Sequence, residues 1–310
     1  MTDQEHHRCE QIDCLIVGGG PAGLAAATYL GRFRRRVVLF DAGESRARLI
    51  PITRNCPGFP DGISGADLLS RLRQQALLSG AELRDEAVQD IKRDDTEFVA
   101  AGPTPVRARA VLLATGVVDT LPDIPLATDM IGGGTMRLCP ICDGFEVIDK
   151  RVAVMGPAKD AAKKALFMRT YTRDVTVLAT DGKRGIDGCS GPLIREAGIR
   201  FKACIPNSLR PLGEHAVVLL SDGTTSTFDS VYPAMGCRTG AKFGIDLGAT
   251  CDDLGYLIVD AHQRTVVPGL YAAGDVVNEI NQIAVAFGHA AIAATDIHNH
   301  LADPNRSFRH

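Results

Sequence analysis

The feature that most constrains the fold is a glycine-rich run, Gly18 to Gly23, placed between an apolar stretch and an alanine-rich one. Residues 12–17 form the apolar stretch and predict a buried strand, and the alanine-rich segment that follows to Leu30 predicts a helix. A second apolar run, 37–40, ends at Asp41. Strand, glycine turn, helix and strand in this order predict a βαβ unit with parallel strands.

The spacing of the glycines within this run, Gly-x-Gly-x-x-Gly, is typical of a dinucleotide-binding turn. Glycine lets the backbone approach a pyrophosphate closely, and the N-terminus of the following helix receives its charge. Asp41 is placed to accept hydrogen bonds from a ribose. By itself the turn does not separate FAD from NAD. The predicted contacts of the dinucleotide here are Gly18, Gly20, Pro21, Ala22, Gly23, Asp41 and Ala42.

A second βαβ pattern follows later in the chain, with a strand at 151–155, a helix at 160–170 and a strand at 174–178. Pro122 and Pro125 mark a linker before it, and residues 236–248 a return linker after it. The predicted fold class is therefore α/β, with two Rossmann-like, three-layer dinucleotide-binding domains, the second inserted in the first. The predicted first domain comprises 10–120 and 248–310, and the inserted domain 124–242.

The remaining patterns are weaker. The arginines between positions 32 and 36 predict the solvated end of the first helix. Further helices are predicted at 64–79 and 281–300. Further strands are predicted within 81–101 and at 111–114, 199–204, 215–220, 229–234 and 256–259.

Composition narrows the functional classes. The net charge of −3 gives no electrostatic support for nucleic-acid binding. No segment approaches the roughly 20 apolar residues that cross a bilayer, which predicts a cytoplasmic protein without a membrane partner. The nine cysteines are irregularly spaced, unlike the disulfide framework of a small secreted domain.

One close cysteine pair stands apart, in Cys139-Pro140-Ile141-Cys142-Asp143-Gly144. Such a pair can close a small disulfide ring, and its first thiol tends to have a lowered pKa. A structural zinc site is one alternative, but it needs a second pair of ligands, and the chain has no second Cys-x-x-Cys. A merely buried pair is the other alternative, and no metal is predicted.

Three further segments complete a pattern: Asn55 to Phe59, Ala114-Thr115-Gly116 at the end of a strand, and Gly274-Asp275 before the last helix. Together they resemble the flavin-binding pattern of flavoproteins with two dinucleotide-binding domains. With the cysteine pair placed just before the second βαβ unit, the chain resembles the low-molecular-weight thioredoxin reductases over nearly its whole length.

The resemblance implies FAD as cofactor, with Asp275 bound to the ribityl chain and the last helix directed at the flavin. It also implies that Cys142 faces the flavin, that Cys139 attacks the partner disulfide, that Asp143 is the acid/base, and that the protein is a homodimer. Its implied cofactor contacts are Asn55, Ala114, Thr115, Gly116, Gly274, Asp275, Gln282, Ile283 and Ala284.

The second βαβ unit departs from this family where NADPH is expected. Its turn reads Gly156-Pro157-Ala158, and proline has no N–H to offer a pyrophosphate. Asp181 stands where a cation for the 2′-phosphate is expected, although Lys183 and Arg184 lie nearby. The sequence therefore makes NADPH doubtful.

Four functions stay open at this point. The first is a disulfide reductase for a thioredoxin-like protein or a small disulfide, with ferredoxin or flavodoxin as electron donor. The second is an oxygen-dependent oxidase of a small dithiol. The third is an ordinary NAD(P)H-dependent thioredoxin reductase, and the fourth is a flavin-loaded redox sensor. His289, within the last helix, is interpreted as a core histidine.

Overall fold

A computed structural model describes residues 10–183, 185, 190–277 and 279–301. Within them the chain divides into two compact units. The first comprises 10–48, 66–118 and 239–301, and the second comprises 49–65 and 119–238.

The strands are named in chain order. They are β1 (Glu10–Val17), β2 (Val37–Phe40), β3 (Glu82–Arg84), β4 (Asp90–Asp94), β5 (Glu97–Ala101), β6 (Val106–Leu113), β7 (Val117–Asp119), β8 (Val152–Gly156), β9 (Val175–Ala179), β10 (Arg200–Ala203), β11 (Arg210–Leu212), β12 (His215–Leu219), β13 (Thr225–Phe228), β14 (Ser230–Pro233), β15 (Cys237–Thr239) and β16 (Leu270–Ala272).

The helices are named in the same way. They are α1 (Pro21–Arg32), α2 (Gly65–Leu78), α3 (Ala127–Gly132), α4 (Pro140–Asp143), α5 (Ala158–Met168), α6 (Ser190–Glu196), α7 (Lys242–Asp246) and α8 (Ile283–His300). Short 3₁₀ helices lie at Arg46–Leu49, Gly144–Val147, Pro206–Ser208 and Gly274–Val276.

The first unit is built on one sheet in the order β3-β2-β1-β6-β5-β4, with β16 pairing with β6. β1, β2, β3, β6 and β16 run parallel, and β4 and β5 add an antiparallel edge. Residues 12–17 of β1 are all buried, as expected for a parallel strand covered on both faces. The carboxyl ends of β1 and β6 therefore lie side by side, with Val17 opposite Leu113.

Two helices with many alanines, α1 and α8, pack against each other and form one hydrophobic core with the sheet. Ala22, Ala26, Ala290 and Ala294 belong to this core. Small side chains permit a close approach of the two helices, and this approach brings the segment before α8 near the start of α1. An alanine at Gly274 would place its Cβ 2.9 Å from the Cβ of Ala22.

The second unit has a parallel sheet in the order β10-β9-β8-β14 and a small antiparallel sheet of β11, β12 and β13. An extended segment lies beside β14, because Arg137 donates its N–H to the Val231 carbonyl and Val231 donates to the Thr135 carbonyl. This pairing carries the chain directly to Cys139.

The predicted α/β fold with two Rossmann-like domains is confirmed, since both parallel sheets have the βαβ order that the glycine turns indicated. The predicted strand at 256–259 is wrong: Leu257 makes only an isolated bridge with Cys251. The structure groups residues 49–65 with the second unit, whereas the predicted boundary placed them in the first domain. The glycine-rich segment 182–191 predicts a loop from its sequence, and half of it, residues 184 and 186–189, lies outside the described residues.

The predicted solvated arginine run is wrong at one position. Arg35 is buried and donates to the carbonyl oxygens of His298 and Leu301 at 2.8 and 3.0 Å. The last carbonyls of a helix have no partner within the helix, so this guanidinium caps the C-terminus of α8. The other arginines of the run, Arg32, Arg34 and Arg36, are exposed.

Candidate flavin and disulfide sites

The glycine turn between β1 and α1 has two packing glycines. Gly18 has φ +111°, and a Cβ there would lie 2.3 Å from the Ala114 carbonyl oxygen. A Cβ at Gly23 would lie 1.9 Å from the carbonyl oxygen of Gly18. Gly20 is different, because a Cβ there would meet only the Ser45 hydroxyl, at 3.3 Å. The space in front of Gly20 is therefore open to a ligand.

Asp41 lies at the end of β2 and bounds this turn. Its Oδ1 accepts the Gly43 N–H at 2.9 Å, and its Oδ2 lies 3.8 Å from the Arg73 guanidinium. A Cβ at Gly19 would lie 2.2 Å from the Asp41 carboxyl carbon, so glycine is needed there to admit the carboxylate. The cavity in front of the turn measures about 500 Å³, and its lining includes Gly19, Asp41, Ala42, Arg48, Arg73 and Asp85.

These residues fit the adenosine-diphosphate end of FAD. Among the described residues, no side chain is bonded to the amides of Ala22 and Gly23 in the first turn of α1. Free amides at a helix N-terminus bind a pyrophosphate, and Arg48 supplies positive charge at the same cavity. Asp41 is left as the acceptor for the ribose.

The predicted triplet Ala114-Thr115-Gly116 lies at the end of β6, next to the glycine turn. Ala114 donates its N–H to Val17, and the Thr115 hydroxyl donates to the Gly240 carbonyl at 2.7 Å. Gly116 accepts the Gly240 N–H at 2.8 Å and has φ +62°. The triplet thus holds the segment that begins at residue 239 against the end of β6, beside the predicted cofactor.

Gly274 and Asp275 precede α8. Gly274 has φ +81° and donates its N–H to Nδ1 of His289 at 3.4 Å. Burial lowers the pKa of His289, so this ring is neutral and accepts at Nδ1. Asp275 lies 3.8 Å from the Arg46 guanidinium. His289 is thus a partly buried histidine with a backbone partner, and its assignment as a core histidine stays a prediction.

The start of α8 brings the last predicted contacts together. Gln282 is the residue before the helix, and its side-chain amide donates to the carbonyls of Ile280 and Asn281 at 3.3 and 3.2 Å. Ile283 and Ala284 form the first turn, and within the described part of the chain their amides have no partner, which leaves them available to a ligand.

In the second unit, Cys139 and Cys142 form a disulfide with their Cα atoms 5.3 Å apart. Cys139 immediately precedes α4, and its sulfur accepts the Cys142 N–H at 3.2 Å. A zinc site would use these sulfurs together with other ligands. Within the described part of the chain, no group of three or more His, Cys, Asp or Glu residues is arranged to hold a metal.

The glycine of the Cys-x-x-Cys-Asp-Gly motif has a packing role. A Cβ at Gly144 would lie 2.3 Å from the ring of Tyr171, which follows α5. Tyr171 in turn contacts Phe167, with ring centroids 6.1 Å apart. Glycine at this position lets the aromatic ring cover the turn behind the disulfide.

Asp143 follows Cys142 and has a partner on each carboxylate oxygen. The Tyr232 hydroxyl donates to Oδ1 at 2.9 Å, and the Arg137 guanidinium donates to Oδ2 at 3.1 Å. Burial raises the pKa of Asp143, and the two donors only partly offset this effect. A carboxyl group whose pKa is raised towards neutrality is suited to acid/base chemistry.

Asn55 lies in the second unit, beside the disulfide. Its side-chain amide donates to the carbonyl of Ile141 at 3.3 Å, and its oxygen accepts from the Thr53 hydroxyl at 2.8 Å. The side chain therefore supports the cysteine segment. The neighbouring Cys56 is buried, and burial raises its pKa.

The turn of the second βαβ unit differs from the first. A Cβ at Gly156 would lie 2.3 Å from the Ala234 carbonyl oxygen, so this glycine is explained by packing, like Gly18. The first amide of α5, that of Ala158, donates to the Asp181 carboxylate at 3.3 Å. Lys183 lies 3.8 Å from the same carboxylate. Arg184 lies outside the described residues.

Several residues of these sites were not predicted from the sequence. Arg48 and Arg73 reach the cavity from the 3₁₀ helix after β2 and from α2, and Tyr232 reaches Asp143 from β14. Arg137 is the exception, because its place two residues before Cys139 could have indicated that it lies near the disulfide. None of the described helices is both long enough and apolar enough to cross a membrane.

A dinucleotide cavity in one Rossmann-like unit and a Cys-x-x-Cys disulfide in another are the parts of an FAD-dependent disulfide oxidoreductase. The family model of pyridine nucleotide-disulphide oxidoreductases matches residues 12–290. The chain belongs to this family, and it is an enzyme of the thioredoxin reductase type that uses FAD.

Named relatives agree. The chain is 31% identical to a thioredoxin reductase of Streptomyces clavuligerus, over 93% of each chain. It superposes on the crystal structure of HlmI with a TM-score of 0.86 and 26% identity, covering 94% of this chain and 92% of the other. It is also similar to the thioredoxin reductase of Streptococcus pyogenes, with a TM-score of 0.84 and 25% identity, covering 94% and 98%.

Proposed function

We propose that this enzyme reduces the disulfide of a thioredoxin-like protein through Cys139 and Cys142, with a ferredoxin or flavodoxin instead of NADPH as electron donor. The partner follows from the relatives, which are named thioredoxin reductases. The observation that carries the choice of donor is the hydrogen bond from the Ala158 amide to Asp181.

This bond places a carboxylate where a nucleotide would place its pyrophosphate. A phosphate needs the free amides and positive end of a helix, and α5 already directs its first amide at Asp181. Two like charges about 4 Å apart repel each other by about 1 kcal/mol in water and about 4 kcal/mol near a protein surface. Pro157 removes a further amide from the turn. A nicotinamide nucleotide is therefore disfavoured by charge and by lost hydrogen bonds.

The first unit offers the opposite arrangement. Ala22 and Gly23 keep their amides available, and Asp41 is bonded to Gly43 instead of to α1. These contacts support a site for the adenosine-diphosphate end of FAD in the first unit. When bound, FAD supplies the electron pair that reduces the Cys139–Cys142 disulfide.

The remaining steps are thiol–disulfide exchange. The Cys139 thiolate attacks one sulfur of the partner disulfide, a mixed disulfide forms, and the released partner thiolate takes a proton from Asp143. Cys142 then gives its proton to the Asp143 carboxylate and attacks Cys139. The internal disulfide reforms, and the second partner sulfur leaves as a thiolate that takes the proton from Asp143, so atoms, electrons and protons balance.

The first experiment mixes the purified, FAD-loaded protein anaerobically with NADPH and separately with NADH, while the flavin absorption band is followed. We expect no bleaching with either nucleotide and complete bleaching with dithionite. Reduced ferredoxin or flavodoxin should then bleach the flavin and support reduction of thioredoxin. Rapid bleaching by NADPH or NADH would show instead that the enzyme is an ordinary nicotinamide-dependent reductase.

Two further outcomes separate the other functions. Oxygen consumption with a small dithiol, without any nucleotide, would identify a dithiol oxidase and reverse the direction of electron flow. A reducible flavin and disulfide with no turnover on any acceptor would indicate a redox sensor. The Cys139→Ser/Cys142→Ser double variant is the control, since it binds FAD but has no disulfide to reduce.

Two proposals concern the whole protein, namely a cytoplasmic location and a homodimer. Light scattering on a size-exclusion column tests the second directly, because a dimer has twice the chain mass of 33.0 kDa.

A further inference from the structure

The Asp143 carboxylate lies in a network that extends well beyond the Cys-x-x-Cys motif. Arg137 comes from the extended segment before Cys139, and Tyr232 comes from β14, 89 residues after Asp143 in the chain. Each donates to a different carboxylate oxygen. Both sides of the carboxylate are therefore occupied by hydrogen-bond donors.

Arg137 is itself held in place. Its Nε donates to the Ser230 hydroxyl at 3.3 Å, while its Nη1 reaches Asp143. The Ser230 hydroxyl donates in turn to the Gly134 carbonyl at 2.9 Å. A guanidinium bound at both ends loses little freedom when it pairs with a carboxylate, so it is a preorganised partner.

Tyr232 is also fixed. It is completely buried in the core of the second unit, and its hydroxyl reaches Asp143 Oδ1 at 2.9 Å. Lys164 of α5 donates to the carbonyls of Leu138 and Pro233, the residues that precede Cys139 and follow Tyr232. This contact joins the cysteine segment to the end of β14.

We propose that Arg137 and Tyr232 are positioning residues that set the orientation and proton affinity of Asp143 for thiol–disulfide exchange. The inference rests on the proposed function, because in that function Asp143 exchanges the proton of the thiols. The charged and titratable groups that act on Asp143 are Arg137, Tyr232 of β14 and Glu146 of the following 3₁₀ helix. From α5, Lys164 donates to the Leu138 carbonyl in the segment that leads to the two cysteines.

Two opposing effects set the proton affinity of Asp143. Burial favours the neutral carboxyl, and Glu146 acts in the same direction. The guanidinium of Arg137 and the hydroxyl of Tyr232 favour the carboxylate, since both donate to it. An acid/base must exchange its proton readily, which requires the two effects nearly to balance. Removing either donor tips the balance towards the protonated form.

The test uses a single turnover, so that no electron donor is needed. The FAD-loaded protein is reduced with dithionite, freed of excess reductant and mixed with an aromatic disulfide from about pH 5 to about pH 9. The reduction rate is plotted against pH. The part of this pH dependence that is lost in Asp143→Asn, called here the Asp143 limb, reports the titration of Asp143. We expect Arg137→Gln to move this limb to higher pH by about one unit, and Tyr232→Phe to move it in the same direction.

Controls separate positioning from structural support. Arg137→Lys keeps the positive charge, so its limb should lie close to the pH of the native protein. Arg210→Gln changes an exposed arginine of the second unit and should leave the pH profile unchanged. Infrared titration of the Asp143 carboxyl band gives the same shift without turnover. FAD content and circular dichroism verify folding.

A limb that stays in place in both Arg137→Gln and Tyr232→Phe, while only the rate falls, would overturn the inference. Failure of the proposed function looks different. In that case the reduced native protein itself would not reduce the aromatic disulfide, whereas the infrared shift of Asp143 would still be measurable.

Discussion

Two aspartates after equivalent strands play opposite roles in this chain. Asp41 follows β2 and turns back to the Gly43 amide, so the start of α1 stays free. Asp181 follows β9 and reaches the start of α5. One aspartate therefore leaves the N-terminus of α1 accessible to a phosphate, whereas the other aspartate occupies the N-terminus of α5. The difference lies in which amide each carboxylate finds, and both turns retain a glycine for packing.

Gly19 gives a sharp test of the flavin site. In Gly19→Ala the new Cβ would lie 2.2 Å from the Asp41 carboxyl carbon, so the carboxylate must move away from the ribose position. We expect the purified variant to lose most of its FAD, measured as the ratio of flavin to protein absorbance. Gly132→Ala is the control, because its Cβ meets nothing within 4 Å. Normal FAD content in Gly19→Ala would contradict the placement of the cofactor.

The two cysteines have separable roles. If Cys139 attacks the partner, Cys142→Ser should leave a stable mixed disulfide between Cys139 and a thioredoxin-like protein, because the resolving thiol is absent. Non-reducing electrophoresis and mass spectrometry of the reduced variants incubated with oxidised thioredoxin measure this. A mixed disulfide that forms only in Cys139→Ser would show that Cys142, and not Cys139, attacks the partner.

At the scale of elements, two arginines hold α8 in place. Arg35 caps its last carbonyls, and Asp296, in the middle of its final turns, receives the Arg264 guanidinium on both carboxylate oxygens, at 2.7 and 2.5 Å. The Tyr271 hydroxyl adds a third bond to Asp296, at 2.9 Å. The Tyr271 bond joins the helix to β16 and holds α8 beside the predicted flavin site.

The Asp296 contacts predict a pH effect on stability. Burial opposes the charge of Asp296, but the bonds from Arg264 and Tyr271 outweigh it and lower the pKa of this carboxyl. A lowered pKa contributes stability above the ordinary value of about 4 and loses it as the pH falls through the lowered value. We expect Asp296→Asn to melt several degrees lower at neutral pH and to show a shallower loss of stability in acid.

Thermal scans between about pH 3 and about pH 7 make this measurement. Asp246→Asn is the matched control, since Asp246 pairs with Lys242 on an exposed surface and should contribute little. If the melting temperatures of Asp296→Asn and the native protein changed in parallel across this range, the contacts of Asp296 would not stabilise the fold.

At the scale of the whole molecule, the first unit is assembled from distant parts of the chain. β16 pairs with β6 in the register Leu270 to Val111, and α8 covers α1. The first sheet is therefore complete only when the end of the chain returns. The second unit closes its own parallel sheet around β8, β9, β10 and β14.

This assembly predicts that FAD stabilises one unit selectively. Ligand that binds only the folded state at 100 times its Kd adds about 2.7 kcal/mol, and all described contacts of the adenosine cavity belong to the first unit. Removing FAD should lower the melting midpoint of the first unit, and calorimetry measures this midpoint. Gly19→Ala should show no such increment on adding FAD. Identical midpoints with and without FAD would contradict the prediction.

The sequence by itself determined the features that depend on neighbouring residues. The glycine turn, the cysteine pair and both βαβ units were predictable, because their spacing and apolar periodicity are local properties of the chain. Tertiary structure alone decided what distant residues add. Tyr232 reaches Asp143 across 89 positions, and Arg35 reaches α8 across 263. Such pairs leave no periodic signal, since only the folded sheets bring them within hydrogen-bonding distance.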